Sequence, residues 1–224
     1  MTQAQRVVVG VAGGSASGKT TLVRALQDLL QGITTFLLHH DDYYLDQRHL
    51  PPPERARLNF DRPAALDNRR LARHLRALRE GQAVHSPTYC FRTHSRLSET
   101  RRIEPAEVIV VEGMLLLAVR TLRELLDVRV FVDTPADLRL ARRLRRDVGP
   151  ERDRTVASVL DQYETFVRPM HARYVEPSKA FADLIVTDAT DARQVARAAR
   201  LIKRRLQGRT PAASCTRPHS ASRP

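Results

Sequence analysis

The stretch RVVVGVAGGSASGKT at 6–20 constrains this chain more than any other feature. Residues 7–12 are apolar and mostly β-branched, with no polar position to face water. That suits a strand buried on both faces of a parallel sheet. Residues 13–20, GGSASGKT, match G-x-x-x-x-G-K-[ST] in full, and a helix is expected over 19–30. Glycines at this spacing let backbone N–H groups curl around phosphate oxygens, and the helix start points its positive end at the anion. Gly13, Gly14, Ser15, Ala16, Ser17, Gly18, Lys19, Thr20 and Thr21 are the candidate phosphate-binding residues. Lys19 is placed to reach the β- and γ-phosphates, and the Thr20 hydroxyl to ligate Mg²⁺. The motif indicates nucleoside triphosphate binding without saying what receives the phosphate.

Further along, apolar runs at 35–39, 108–111, 128–132 and 184–186 read as strands. Helical spacing recurs at 66–80, where Leu71, Leu75 and Leu78 share a face and Gly81 is the stop. Helices are also expected after Pro135, over 155–167 and over 191–206. The polar, turn-rich stretch 84–103 reads as a hairpin excursion. Strands alternating with helices predict an α/β fold: a P-loop NTPase-type, five-stranded, mainly parallel sheet flanked by helices. One domain is expected over 1–207, with a disordered Ser/Pro/Thr/Arg-rich tail over 208–224.

Composition narrows the classes. The formal net charge is +13, but lysine occurs only at Lys19, Lys179 and Lys203, so the charge is an arginine skew. Most of it reads as solvated surface, including Arg139, Arg142 and Arg145. Aromatics make up 5% of residues, too few for the stacking platforms of an RNA binder, and no N-K-x-D guanine motif marks a GTPase switch. No apolar run approaches the length needed to cross a bilayer, and the two cysteines, Cys90 and Cys215, offer no metal spacing or disulfide framework. A cytoplasmic setting without membrane or nucleic-acid partners is the expectation.

Acidic residues follow two of the strands. Glu112 ends VIVV, where a carboxylate can help hold Mg²⁺. HHDDYYLD follows the second strand, and either Asp41 or Asp42 could take a proton from an acceptor hydroxyl.

The ordered series GGSASGKTT, DDYY, NFDRPAALD, PTYCFRTHSR, VVEGMLLL, FVDTPADLRLARRLRRD and VRPMHARYVEPSK resembles the uridine kinase family from about residue 7 to residue 206. The resemblance implies phosphate transfer from ATP or GTP, with Mg²⁺, to the 5′-hydroxyl of a pyrimidine ribonucleoside. It implies a helical lid over about 139–155 and a homotetramer. It implies Asp41 as the base, close to the metal with Thr20 and Glu112. Asp61 would grip the ribose hydroxyls, and Gln162 would lie near the ribose. Tyr89, Phe91 and His94 would recognise the pyrimidine. Arg143, Arg146, Arg152 and Arg154 would serve the phosphates and the acceptor, with Arg146 catalytic beside Lys19. Asp191 would lie near the donor base.

This chain departs from the family pattern in three places. The R-G-R segment is Arg152-Asp153-Arg154, preceded by an extra residue at Gly149-Pro150. Thr187-Asp188-Ala189 replaces P-R-G after the last strand, leaving ATP or GTP open. His39-His40 stand where other polar residues are common, and the sequence assigns them no role. A phosphoribulokinase-like enzyme and a nucleotide-dependent RNA-binding protein are the alternatives. The aromatic hairpin favours a nucleoside, since a sugar phosphate has no base to stack.

Overall fold

β1 (Val7–Gly13) is buried at every position, and its side chains alternate between two cores. Val7, Val9 and Val11 enter one apolar cluster, while Val8 and Ala12 enter the other. This is period-2 geometry in a strand with no water-facing side. Each fully buried valine or leucine contributes roughly 1.5–3 kcal/mol.

A computed structural model describes residues 6–150, 152 and 154–208. The tail expected to be disordered lies, from residue 209 onward, outside the described residues. In chain order, α1 (Lys19–Leu29), β2 (Thr35–His39) and the short α2 (Pro52–Ala56) follow β1. Next come α3 (Asn68–Arg79), the hairpin β3 (Val84–Cys90) and β4 (Ser95–Ile103), then β5 (Val108–Glu112) and α4 (Arg120–Arg123). β6 (Val128–Val132) leads into α5 (Ala136–Asp147) and α6 (Val156–Gln162), and β7 (Leu184–Val186) into α9 (Ala192–Gln207).

The main sheet runs β2-β5-β1-β6-β7 with every pairing parallel, and β3-β4 form a separate antiparallel pair. The expected fold class holds. α1 and α9 cover one face: Leu22, Val23 and Leu26 pack there with Val195, Ala198, Ala199 and Ile202. α3 covers the other through Leu71, Ala72, Leu75 and Leu78. Asp67 caps α3 by accepting from Arg70 N–H, and Gly81, at φ 87°, lies just past its end as expected.

The helix expected over 155–167 runs much further. After α6 come a π turn at Tyr163–Val167, α7 (Arg168–Met170), a second π turn at His171–Val175 and α8 (Glu176–Ser178). Pro169 and Pro177 would break a regular helix, because their rings crowd the carbonyl four residues back. Here each follows a π turn, whose wider i→i+5 spacing lets the rod continue. Among the described residues, no helix is long and apolar enough to cross a membrane.

Candidate active site

The site forms at the carboxyl ends of the central strands, where an open α/β sheet binds its ligands. β1 feeds the loop 13–20. Gly13 sits at φ 142°, and a Cβ there would strike the backbone oxygen of Val132. Gly18, at φ 97°, starts α1. Lys19 Nζ donates to the carbonyls of Gly13 (3.1 Å) and Gly14 (2.9 Å). Burial, above all, lowers its pKa, while Asp41 and Glu112 pull the other way.

Arg139 braces this loop. Its Nε donates to Thr134 O (3.0 Å), Thr134 Oγ1 donates to Ser17 O (2.8 Å), and a Cβ on Gly14 would fall 2.6 Å from Arg139 Nη1. Arg139 is therefore buried, not solvated as its sequence context suggested. The reason is register: residues 139, 143 and 147 are spaced four apart and form the one buried face of α5.

Glu112 lies at the end of β5, level with His39 in β2. Its Oε1 accepts from Thr20 Oγ1 (3.0 Å) and contacts His39 Nδ1 (2.8 Å). Its Oε2 is buried with no partner. Burial pushes the Glu112 pKa up, but the contact with His39 and the charges of His39 and Lys19 outweigh it, so the net shift is downward. The hydrogen bond to Glu112 in turn raises His39. Carboxylate and hydroxyl oxygens around one unpartnered oxygen fit a hard divalent cation. Among the described residues, no cluster of three or more His, Cys, Asp or Glu side chains forms a metal cage. Such a cation would lean on substrate phosphates, as Mg²⁺ does.

β2 does not continue into the acidic pair. His40–Tyr43 is a 3₁₀ turn, in which successive side chains point about a third of a turn apart. Asp41 faces the cavities and Asp42 does not line them. Asp42 is raised by burial, partly offset by His39 and Arg101.

Two cavities meet here. The donor-side cavity is lined by the phosphate loop, His39, Glu112, Thr134, Arg142 and the segment 187–190. The second cavity, on the side where the acceptor is expected, holds Asp61, Tyr89, Phe91, His94, Arg143, Arg152, Arg154 and Gln162, together with Tyr44, Phe60 and Met114. Ala16, Lys19, Asp41 and Arg146 line both.

The acceptor side is aromatic. Phe60 stacks on His94 (5.1 Å between centroids, 13° between planes), Tyr44 packs against Phe60 and Tyr89, and Tyr89 meets Phe91 edge-on. Arg96 in β4 donates to Tyr44 O (2.8 Å) and ties the hairpin to the turn after β2. Tyr89 Oη is buried without a partner. Asp61 is buried, which pushes its pKa to about 6, with Arg143 opposing and Asp41 and Asp147 adding to the rise.

Above this floor sit the arginines. Asp147, fully buried, contacts Arg143 (3.4 Å), Arg146 (2.8 Å) and Arg152 (3.2 Å). Burial raises Asp147, but the three cations outweigh it and hold it below its ordinary value. Arg143 also donates to Ser15 Oγ (2.9 Å) and Gln162 Oε1 (2.7 Å), and Arg154 shares Gln162. Mutual repulsion among the arginines is thus compensated by Asp147.

The fold brings together every residue expected at the site except Gly13, Gly14 and Asp191, which line neither cavity. Gly13 and Gly14 act through their carbonyls on Lys19. The Asp191 side chain accepts from Arg193 N and caps α9 at the edge of the donor cavity. Sequence reasoning missed Arg139, Asp147 and His39. The 139/143/147 spacing was the signal for the first two; His39 carried none, because its partner is 73 residues away.

The phosphoribulokinase/uridine kinase family model matches residues 8–194. A uridine kinase of Bacillus cereus is 48% identical over 182 residues, covering 81% of this chain and 85% of that protein. A uridine kinase of Chloroflexus aggregans is 52% identical over 179 residues, covering 80% and 85%. The structure of phosphoribulokinase from Rhodobacter spheroides superposes with a TM-score of 0.60 at 17% identity, over 84% of this chain and 73% of that one, a likeness of fold. The chain therefore belongs to the phosphoribulokinase/uridine kinase family of P-loop kinases.

Proposed function

We propose that this chain moves the γ-phosphoryl group of ATP or GTP to the 5′-hydroxyl of uridine or cytidine, giving UMP or CMP. The observation that carries this reading is that Lys19, Asp41 and Arg146 line both cavities, so donor and acceptor meet across them. The 5′-oxygen attacks the γ-phosphorus, the bond to the β,γ-bridging oxygen breaks, and the nucleoside diphosphate leaves. The hydroxyl proton passes to Asp41. Lys19 and Arg146 offset charge on the phosphoryl oxygens, in a transition state that is mostly positioned rather than covalently assisted.

Thr20 and Glu112, with Asp41 nearby, would hold Mg²⁺, which neutralises phosphate charge. Asp61 accepts from the vicinal ribose hydroxyls. Tyr89 and Phe91 pack the pyrimidine and His94 reads its edge. Arg143, Arg152 and Arg154 close over the acceptor as a lid anchored at Arg139, and Gln162 lies near the ribose. The segment 187–190, with Asp191 behind it, borders the donor base. The active form is a homotetramer in the cytoplasm.

The test measures transfer from γ-labelled ATP and GTP to uridine, cytidine, 2′-deoxyuridine and ribulose 5-phosphate. Uridine and cytidine should lead. Deoxyuridine should lag about 5- to 150-fold, the effect of leaving a buried carboxylate lone pair unpaired. Faster transfer to the sugar phosphate would overturn the reading.

A further inference from the structure

The parallel register of β2 and β5 sets His39 beside Glu112 where the sheet opens onto the donor-side cavity. Two groups converge on one carboxylate oxygen: His39 Nδ1 at 2.8 Å and Thr20 Oγ1 at 3.0 Å both meet Glu112 Oε1. The other oxygen, Oε2, is buried and has no partner. Buried polar atoms are rarely left unsatisfied, so an orphan at a site such as this one points to a ligand.

A carboxylate rotates freely about its last bond unless its plane is held. The Thr20 hydroxyl can keep its proton on Oε1 while offering a lone pair to a cation. His39 holds the same oxygen from the neighbouring strand, which limits its own movement. The imidazole serves in either protonation state, because Nδ1–H donates in both the matching neutral tautomer and the cation. The Glu112 side chain is 8% exposed, so water has little access to the carboxylate end of that bond.

We infer that His39 is a positioning residue for the divalent cation: it holds Glu112 by Oε1 so that Oε2 is presented to the cation accompanying the triphosphate. This rests on the proposed cation-binding role of Thr20 and Glu112. Partners that orient a ligating carboxylate typically govern metal affinity by about 10- to 100-fold.

Two variants separate the hydrogen bond from packing. His39→Phe keeps a flat ring and removes Nδ1. His39→Asn places an amide N–H close to where Nδ1–H stood. Mn²⁺ binding is followed by electron paramagnetic resonance with saturating β,γ-imido-ATP, and in parallel with β,γ-imido-GTP. His39→Phe should weaken Mn²⁺ about 10- to 100-fold and His39→Asn should recover most of that loss. Uridine affinity should be unchanged in both, and kcat should recover at saturating cation. An unchanged Mn²⁺ dissociation constant in His39→Phe would overturn the inference. So would equal defects in the two variants, or a parallel loss of uridine affinity, which would mark a general structural role. If the wild-type protein prefers a different acceptor, the Mn²⁺ titration still reads the His39 effect, so the two failures are distinguishable.

Discussion

Asp41 and Asp42 are adjacent carboxylates with different surroundings. Asp41 lines both cavities, whereas Asp42 lines neither and feels the charges of His39 and Arg101. Asp41→Asn should leave nucleoside and donor binding intact while kcat falls about 10²- to 10⁴-fold, toward the low end because the transition state is loose. Asp42→Asn should do much less. Single-turnover phosphorylation of uridine decides, and a larger defect in Asp42→Asn would reverse the assignment. Asp61 adds a pH dependence. Its pKa stands at about 6 in the fold against an ordinary 3.8. Keeping it charged costs stability: nothing below pH 3.8, increasingly as pH rises toward 6, and about 3 kcal/mol above that. In the role proposed for Asp61, only the ionised form would accept from both ribose hydroxyls. Uridine affinity should therefore fall as pH drops through about 6 and should lose this step in Asp61→Asn. Titration calorimetry across that range checks it, and a flat profile in the wild-type protein would remove Asp61 from the ribose.

α5 carries its buried face in polar residues, with Arg139, Arg143 and Asp147 spaced four apart. Arg139 fastens the element to the phosphate loop, and Asp147 gathers the arginines beyond it. Asp147→Asn keeps the shape but leaves buried Arg143 without its counter-charge, at a cost of about 3 kcal/mol. Its melting temperature should drop, and a bisubstrate analogue should restore more of it than in the wild type, because the phosphates replace the lost anion. Equal ligand-induced shifts in both proteins would argue against that exchange. If the segment from Asp147 to Thr155 closes over substrate, its backbone amides should gain hydrogen-exchange protection with the same analogue. Equal protection with and without ligand would leave no lid. At the base of the same site, Gly13 is held at φ 142° against Val132, so Gly13→Ala should disrupt the loop and weaken donor binding far more than uridine binding.

Across the molecule, a formal charge of +13 sets a positive field that favours any polyanion. The two substrates respond differently, because the donor is a polyanion and the nucleoside is neutral. Raising ionic strength from about 0.05 M to about 0.5 M should raise the KM for donor and leave the KM for uridine flat. Steady-state kinetics at matched saturation of the other substrate separates the two. A uridine KM that climbs with salt as steeply as the donor KM would place charge, not stacking, at the acceptor side. The all-parallel sheet underlies this division. It brings the loop after β1, the turn after β2 and Glu112 of β5 to one edge, while the β3-β4 pair supplies the aromatic wall.

The strands, the phosphate loop and most of the side chains that line the two cavities were legible in the sequence. Their signals are local: a run of apolar β-branched residues, a glycine spacing, a motif such as NFD with its proline. What the chain could not declare is what a polar residue is buried against. Arg139 read as solvated surface, because hydropathy does not report the burial of a charge; Asp147 drew no reading, and its burial follows from Arg143, Arg146 and Arg152 gathering around it. The π turns that carry the rod past Pro169 and Pro177 were hidden, since proline ordinarily marks a stop. Strand alternation could not choose between Asp41 and Asp42, and it does not reach them, because the chain leaves β2 for a 3₁₀ turn at His40. The pairing of His39 with Glu112 depends on β2 lying next to β5, a strand order that only tertiary packing decides.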